Sequence, residues 1–92
     1  MPEIKFKFHA TLREKIGKGE LLIKANDFGE AIEALRYQLG DDLSRELFKE
    51  DGSLKDYYLL FLNGKVMRAR NLREKKVKKG DILSIFPPVA GG

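Results

Sequence analysis

The last six residues of the chain combine two prolines with two glycines, a pattern suited to chemistry at a chain terminus. Pro87 and Pro88 stiffen the segment that leaves the folded part, whereas Gly91 and Gly92 leave the final bonds nearly unrestricted. Because glycine has no Cβ atom, Gly91 and Gly92 can thread a narrow channel in a partner, and the Gly92 carboxylate is unhindered for attack on a nucleotide phosphate. The pattern therefore predicts chemistry at Gly92, with a frayed chain end as the alternative.

The other reactive side chains do not suggest a catalytic set or a metal site. The chain has no cysteine, which leaves no thiolate nucleophile and no cysteine-ligated zinc. Its one histidine, His9, has no identifiable nucleophile around it, so we interpret it as a strand-end residue. The carboxylates of Asp41, Asp42, Glu50 and Asp51 lack the spacing of a calcium loop, and helix capping and solvation explain them better.

The net charge of +4 comes largely from four lysines near the end of the chain. These are Lys75, Lys76, Lys78 and Lys79. No aromatic or glycine pattern nearby supplies a base-stacking platform, so a solvated loop is favoured over a nucleic-acid site. The lysines could also steer docking onto an acidic partner protein.

Length and the N-terminal sequence limit the class of protein. With 92 residues, one core is expected and a two-lobed catalytic cleft is not. The first ten residues, MPEIKFKFHA, lack the apolar run of a signal peptide, and no stretch approaches the roughly 18 apolar residues of a membrane span. These features predict a cytoplasmic protein with no membrane partner.

Hydrophobic periodicity predicts five strands and one main helix. Ile4, Phe6 and Phe8 alternate with lysines, which is typical of a strand with one buried face. Asp27 with Glu30 forms a capping pattern at the start of the main helix. The elements predicted after the first strand are a turn region up to Gly19, a strand at 20–24, a helix from Phe28 to Leu39 stopped by Gly40, a short helix at 41–48, a hairpin of 58–62 with 65–68 around Asn63-Gly64, and a strand at 82–86.

This order of elements predicts an α+β fold of the β-grasp (ubiquitin-like) type. One main helix covers one face of a mixed sheet, and the last strand lies parallel to the first. We place the domain at residues 1–86 and a flexible tail at 87–92, because no residue beyond Phe86 can continue the sheet past the two prolines.

The last strand also predicts a docking patch. Four of its five residues are apolar: Ile82, Leu83, Ile85 and Phe86. This is more apolar area than one covered face can bury, so some of it should stay exposed. We predict that Phe86, Pro87, Pro88 and Val89, with the adjoining sheet surface, contact a partner protein. Complete burial of Phe86 in the core is the alternative.

Four segments are distinctive enough to suggest a family. They are the F-x-A-x-L-R-E pattern at 8–14, the Asn63-Gly64 turn after a strand, the turn at 79–81 and the ending F-P-P-V-A-G-G at 86–92. Together they resemble the MoaD and ThiS family of ubiquitin-like sulfur carriers. The paired prolines resemble its molybdopterin synthase branch more than its thiamine branch.

The resemblance implies that an adenylating enzyme uses ATP to activate the Gly92 carboxylate and that a sulfur donor converts it to a thiocarboxylate. The tail would then enter the large subunit of molybdopterin synthase and donate sulfur to the pterin precursor of the molybdenum cofactor. Residues 86–89 would contact that large subunit or the adenylating enzyme. The chain would bind no cofactor and no nucleic acid, and it would be a sulfur-donating subunit rather than a catalyst by itself.

The sequence leaves other outcomes open. The same adenylated glycine could be transferred to a lysine amine, as in a protein modifier, or could supply sulfur for thiamine or tRNA thiolation. An interaction module with an inert tail is the alternative from a different class. The metal of the finished cofactor, molybdenum or tungsten, and the identity of the sulfur donor are also left open.

Overall fold

The computed structural model describes residues 1–88, which build one five-stranded mixed sheet with helices packed against it. The elements are β1 (Glu3–Phe8), α1 (Ala10–Ile16), β2 (Glu20–Lys24), α2 (Phe28–Leu47), β3 (Leu59–Leu62), β4 (Lys65–Met67), α3 (Ala69–Leu72) and β5 (Ile82–Phe86). The spatial order of the strands is β2-β1-β5-β3-β4.

The strand pairing confirms the predicted β-grasp topology. The first two strands are antiparallel neighbours, and the last strand lies parallel to the first, with Phe6 facing Leu83. The other side of β5 pairs antiparallel with β3, which in turn pairs with β4. The strand at the end of the chain therefore lies in the middle of the sheet.

The alternation along the strands separates a core face from an open face. Ile4, Phe6 and Phe8 are buried on the core face, and so are Leu83 and Ile85 of β5. Buried residues of α2, among them the fully enclosed Leu35, belong to the same hydrophobic cluster. The opposite face of the sheet is the open face. Among residues 1–88, no helix or strand covers it.

The main helix begins and bends where the sequence predicts. The Asp27 carboxylate accepts a hydrogen bond from the Glu30 amide at 2.8 Å, and the Glu30 carboxylate accepts one from the Asn26 amide at 2.8 Å. This reciprocal capping fixes the first turn. Gly40 has φ 82° and ψ 174°, a conformation that interrupts the helix and separates the predicted main helix from the short helix after it.

Two short helices were not predicted. The segment between β1 and β2, interpreted as a turn region, contains α1, and the segment after β4, interpreted as a loop, contains α3. The glycine at 17 ends α1 in the left-handed conformation and donates its amide to the Arg13 carbonyl at 2.9 Å. With seven and four residues, these helices depend on tertiary packing, and each buries one leucine, Leu12 or Leu72.

The predicted hairpin is locked to the turn before β5. Asn63 and Gly64 both have positive φ, at 52° and 85°, as a type I′ turn requires. The Asn63 side chain donates to the Asp81 carboxylate at 2.9 Å and accepts the Ile82 amide at 2.9 Å. Asp81, a buried carboxylate, also accepts the Lys78 amide at 2.8 Å. These bonds hold β3 and β5 in register.

Candidate functional site

The root of the predicted tail lies at the end of the central strand. Phe86 is the last residue of β5, and Pro87 and Pro88 follow it outside the sheet. Of the residues predicted to carry chemistry or to bind a partner, Phe86, Pro87 and Pro88 are therefore placed by the fold. The predictions for Val89, Gly91 and Gly92 lie outside the described residues.

An aromatic cluster anchors the tail root. The Phe86 ring stacks on His9 with ring centroids 4.1 Å apart and planes within 7°. It meets the edge of Phe61 with centroids 5.6 Å apart and an interplanar angle of 84°. Both geometries are favourable for aromatic pairs. Phe86 is half-buried, so the alternative in which it packs wholly into the core is wrong.

His9 has a structural role at this cluster. It directly follows β1 and donates its amide to the Ile85 carbonyl at 3.2 Å, which ties the start of α1 to β5. Its Nε2 atom is buried and has no hydrogen-bond partner among residues 1–88. These contacts agree with the interpretation of His9 as a strand-end residue, and they add a role as the platform under Phe86.

A shallow cleft runs beside the prolines. It is lined by Pro87 and Pro88, by residues of α1, by the end of α2 and by the segment before β3. Lys15 of α1 forms an ion pair with Glu46, and its hydrogen bond is the main reason that the pKa of Glu46 is lowered. The Tyr58 hydroxyl donates to the Glu46 carbonyl at 3.0 Å, and burial raises the pKa of Tyr58. These two contacts therefore connect α1 and the segment before β3 to the end of α2.

Apolar side chains on the open face extend the tail root across two further strands. Leu59 pairs with Phe86, and Phe61 pairs with Val66. Leu59 remains 48% exposed and Val66 68% exposed. We define these four residues, Leu59, Phe61, Val66 and Phe86, as the tail-root patch. An exposed contiguous apolar surface of this kind is typical of an interaction site.

Sequence reasoning missed three members of the tail-root patch. The continuous apolar run at 58–62 contained a signal for them, because a strand covered on one face needs apolar residues only at every second position. Leu60 and Leu62 fill the core face, which leaves Leu59 and Phe61 for the open face. Val66 had no comparable signal, since its exposure depends on how β4 pairs.

The lysine-rich segment forms the predicted solvated loop. Lys75, Lys76, Lys78 and Lys79 are exposed, whereas Val77 between them is buried and donates its amide to the Asn26 carbonyl at 2.9 Å. Among residues 1–88 there is no group of three or more histidine and acidic side chains that could hold a metal ion. In the same part of the chain, no helix has the length and apolar character that crossing a membrane requires.

A mixed sheet with a helix on one face and the last strand in the middle, parallel to the first, defines the β-grasp fold of the ubiquitin-like class of proteins. Comparison with known proteins agrees with this class. The chain is 31% identical over 93 residues to small archaeal modifier protein 3 of Haloferax volcanii, with 98% of this chain and 99% of the relative covered. It is 36% identical over 83 residues to a protein of Archaeoglobus fulgidus provisionally assigned as a sulfur carrier, with 88% and 93% covered.

The solved structures and the family model extend this agreement. The solution structure of small archaeal modifier protein 1 from Methanosarcina acetivorans superposes with a TM-score of 0.79 at 28% identity, covering all of this chain and 98% of the other. The model of the ThiS family matches residues 6–92. The chain belongs to the ThiS family, the ubiquitin-like sulfur carriers of the ThiS and MoaD type.

Proposed function

We propose that this chain is the sulfur carrier subunit of a molybdopterin synthase and that Gly92 is the residue that carries the sulfur. The observation that supports this most strongly is the match of the family model through the final glycine, combined with the position of residues 86–88 at the end of a central strand. A rigid strand followed by two prolines gives the last residues a fixed starting point.

In the proposed reaction, an oxygen of the Gly92 carboxylate attacks the α-phosphate of ATP on an adenylating enzyme. The bond between the α- and β-phosphates breaks, diphosphate leaves and a glycyl adenylate forms. A donor of sulfide-level sulfur then attacks the Gly92 carbonyl, a carbon–sulfur bond forms, the bond to the adenylate oxygen breaks, AMP leaves and a thiocarboxylate remains. The large subunit of the synthase supplies the active site in which this sulfur passes to the pterin precursor.

The tail-root patch is the proposed docking surface for both partners, together with Pro87, Pro88 and Val89. Phe86 and Phe61 are held by packing before a partner arrives, so binding costs them little conformational entropy. Leu59 and Val66 supply exposed apolar area beside them. Since the patch lies on the open face, a partner can cover it without disturbing the core.

Reconstitution tests the proposal. The chain is incubated with the adenylating enzyme of its host, ATP and a sulfur donor, and intact-mass analysis should then show one oxygen replaced by sulfur at Gly92. Adding the large subunit and the pterin precursor should return the carboxylate and yield the dithiolene product. A thiocarboxylate that forms but is never consumed by the large subunit would exclude the molybdopterin assignment while keeping the sulfur carrier.

Transfer to protein lysines is a second candidate function, favoured by the 31% identity to small archaeal modifier protein 3. In that case a lysine amine attacks the activated Gly92 carbonyl, AMP is released and an isopeptide bond forms. After trypsin digestion, modified lysines of host proteins would carry residues 80–92 as a remnant, because Lys79 is the last basic residue of the chain. Such adducts without thiocarboxylate would favour the modifier, and both products from one chain would show a dual role.

A further inference from the structure

The strand β2 forms an edge of the sheet. Within residues 1–88 its one strand neighbour is β1, and its residues Glu20, Leu22 and Lys24 are exposed. Leu22 is 52% exposed although it is a large apolar side chain. At five residues, β2 is longer than β4, the three-residue strand at the opposite edge. An edge strand presents unpaired backbone groups that can accept another strand.

The hydrogen-bond alternation shows which backbone groups of β2 face away from the sheet. The Phe8 amide donates to the Gly19 carbonyl at 2.9 Å, and the Ala25 amide donates to the Pro2 carbonyl at 3.0 Å. With the register that pairs Phe6 with Leu21, bonds to β1 fall on odd-numbered residues of β2. The amides and carbonyls of the even-numbered residues therefore point outward.

The side chains of those even-numbered residues form a self-complementary series. An antiparallel second copy centred on Leu22 places Leu22 against Leu22 and Glu20 against Lys24, and repeats the second pair by symmetry. The same three positions carry the outward backbone groups, so each facing pair can exchange two hydrogen bonds, about six in all. A register shifted by one residue would instead oppose backbone groups already used by β1.

We infer that the β2 edge pairs with the β2 edge of a second copy of this chain, joining two sheets into one about a two-fold axis at Leu22. Such an interface is isologous, because the same surface contributes from both copies. Cross-strand pairs of opposite charge and of apolar side chains stabilise it, and the half-exposed Leu22 becomes covered. The joined sheet keeps its hydrophobic core faces on the same side.

The dimer is weak and leaves the sulfur-carrier site free. Five residues of edge strand bury less than the roughly 800 Å² per partner of a stable interface, so we expect a dissociation constant on the order of 10⁻⁴ M. The tail root lies beside the end of β1 that faces the start of β2. Antiparallel pairing therefore carries the two tail roots to opposite ends of the joined sheet.

Hydrogen exchange measured by NMR at several protein concentrations tests this arrangement residue by residue. Between about 10 µM and about 1 mM, where the dimer becomes populated, the amides of Glu20, Leu22 and Lys24 should slow several-fold. The amides of Leu21 and Ile23, already bonded to β1, should show no concentration dependence. Sedimentation equilibrium over the same range should show a monomer and a dimer. A monomer at every concentration would overturn the inference, including the case in which the edge binds an extended peptide instead.

Charge substitutions identify the register. Glu20→Lys places a positive charge opposite Lys24 of the second copy, and the two-fold axis repeats this repulsion. The dissociation constant of the dimer should therefore rise about tenfold. The double variant Glu20→Lys/Lys24→Glu restores both ion pairs in reverse and should return within about threefold of the parent. Because Lys5 and Lys7 lie on the neighbouring strand, thermal melts must confirm that Glu20→Lys folds. Lys24→Glu creates the corresponding repulsion between two carboxylates, and it replaces Glu20→Lys in the test if that variant does not fold. A dimer that resists both single substitutions uses another surface, which would refute the pairing.

Discussion

Replacing Leu59 and Val66 by serine should weaken partner binding while the domain remains folded. Burying a leucine or valine completely is worth about 1.5–3 kcal/mol. Leu59 and Val66 keep 48% and 68% of their surface exposed, so by the same area relation a partner can still gain about 0.7–1.4 kcal/mol from Leu59 and about 1–2 kcal/mol from Val66. Association costs consume part of this gain, and we expect the double variant to bind at least about tenfold more weakly, or about 1.4 kcal/mol.

The same exposures bound the effect of Leu59→Ser/Val66→Ser on stability. The area that the two side chains already bury is worth about 1.3–2.5 kcal/mol of unfolding free energy, which a domain of this size can lose and still fold. Leu60→Ala, one residue away but on the core face, should instead cost about 2–5 kcal/mol because Leu60 is 2% exposed. Urea unfolding of both variants measures this contrast.

Calorimetric titration with the large subunit or the adenylating enzyme is the assay. Leu22→Ser is the matched control, because Leu22 is 52% exposed on the same open face but lies on β2, away from the tail root. Its affinity for the partner should equal that of the parent at concentrations where the chain is monomeric. The docking surface would have to be reassigned if the folded double variant bound normally, or if Leu22→Ser weakened binding equally.

Three further predictions concern the tail, the hairpin and the cleft. Gly92→Ala should block thiocarboxylate formation in the mass assay and leave the melting temperature unchanged, whereas Leu35→Ala should lose about 2–5 kcal/mol of stability. If Gly92→Ala lost as much stability as Leu35→Ala, Gly92 would have a structural role. Asn63→Gly keeps a residue that tolerates positive φ but removes both side-chain hydrogen bonds to the turn before β5. Urea unfolding should show a loss of about 1–3 kcal/mol in stability, and no loss would mean that these bonds do not set the register. Because the pKa of Glu46 is lowered in the fold, its ion pair with Lys15 stabilises the protein at neutral pH, and this stabilisation is lost as acid protonates Glu46. The difference in melting temperature between the parent and Lys15→Met should therefore be small at pH 7 and disappear in acid. A difference that does not change with pH would contradict this pairing.

Local patterns predicted most elements of the fold. The alternation in β1, the capping residues Asp27 and Glu30, the break at Gly40 and the Asn63-Gly64 turn each act within a few residues of chain, and the structure confirms all four. The short helices α1 and α3 were missed for a physical reason. Neither is long enough to be stable alone, so their formation depends on Leu12 and Leu72 finding the core.

The tail-root patch could be predicted only in part. Its member Phe86 was predicted from its place in the sequence, and the half-burial of Phe86 agrees with the expectation that β5 carries apolar area beyond one face. The stacking of His9 on Phe86 was not foreseeable. It arises because β1 and β5, which are separated by most of the chain, lie parallel to each other and finish at the same end of the sheet.

The sequence by itself determined the five strands, the main helix α2 with its capping residues and the composition of the C-terminal segment, because each rests on interactions between near neighbours in the chain. Tertiary structure alone decided that Leu59, Phe61 and Val66 gather around Phe86, since that patch exists only when β3 pairs with β5 on one side and β4 on the other. It also decided that β2 is an edge strand with self-complementary charges facing outward. Strand order follows from contacts between distant segments, whose free energies come from packing and not from local preference.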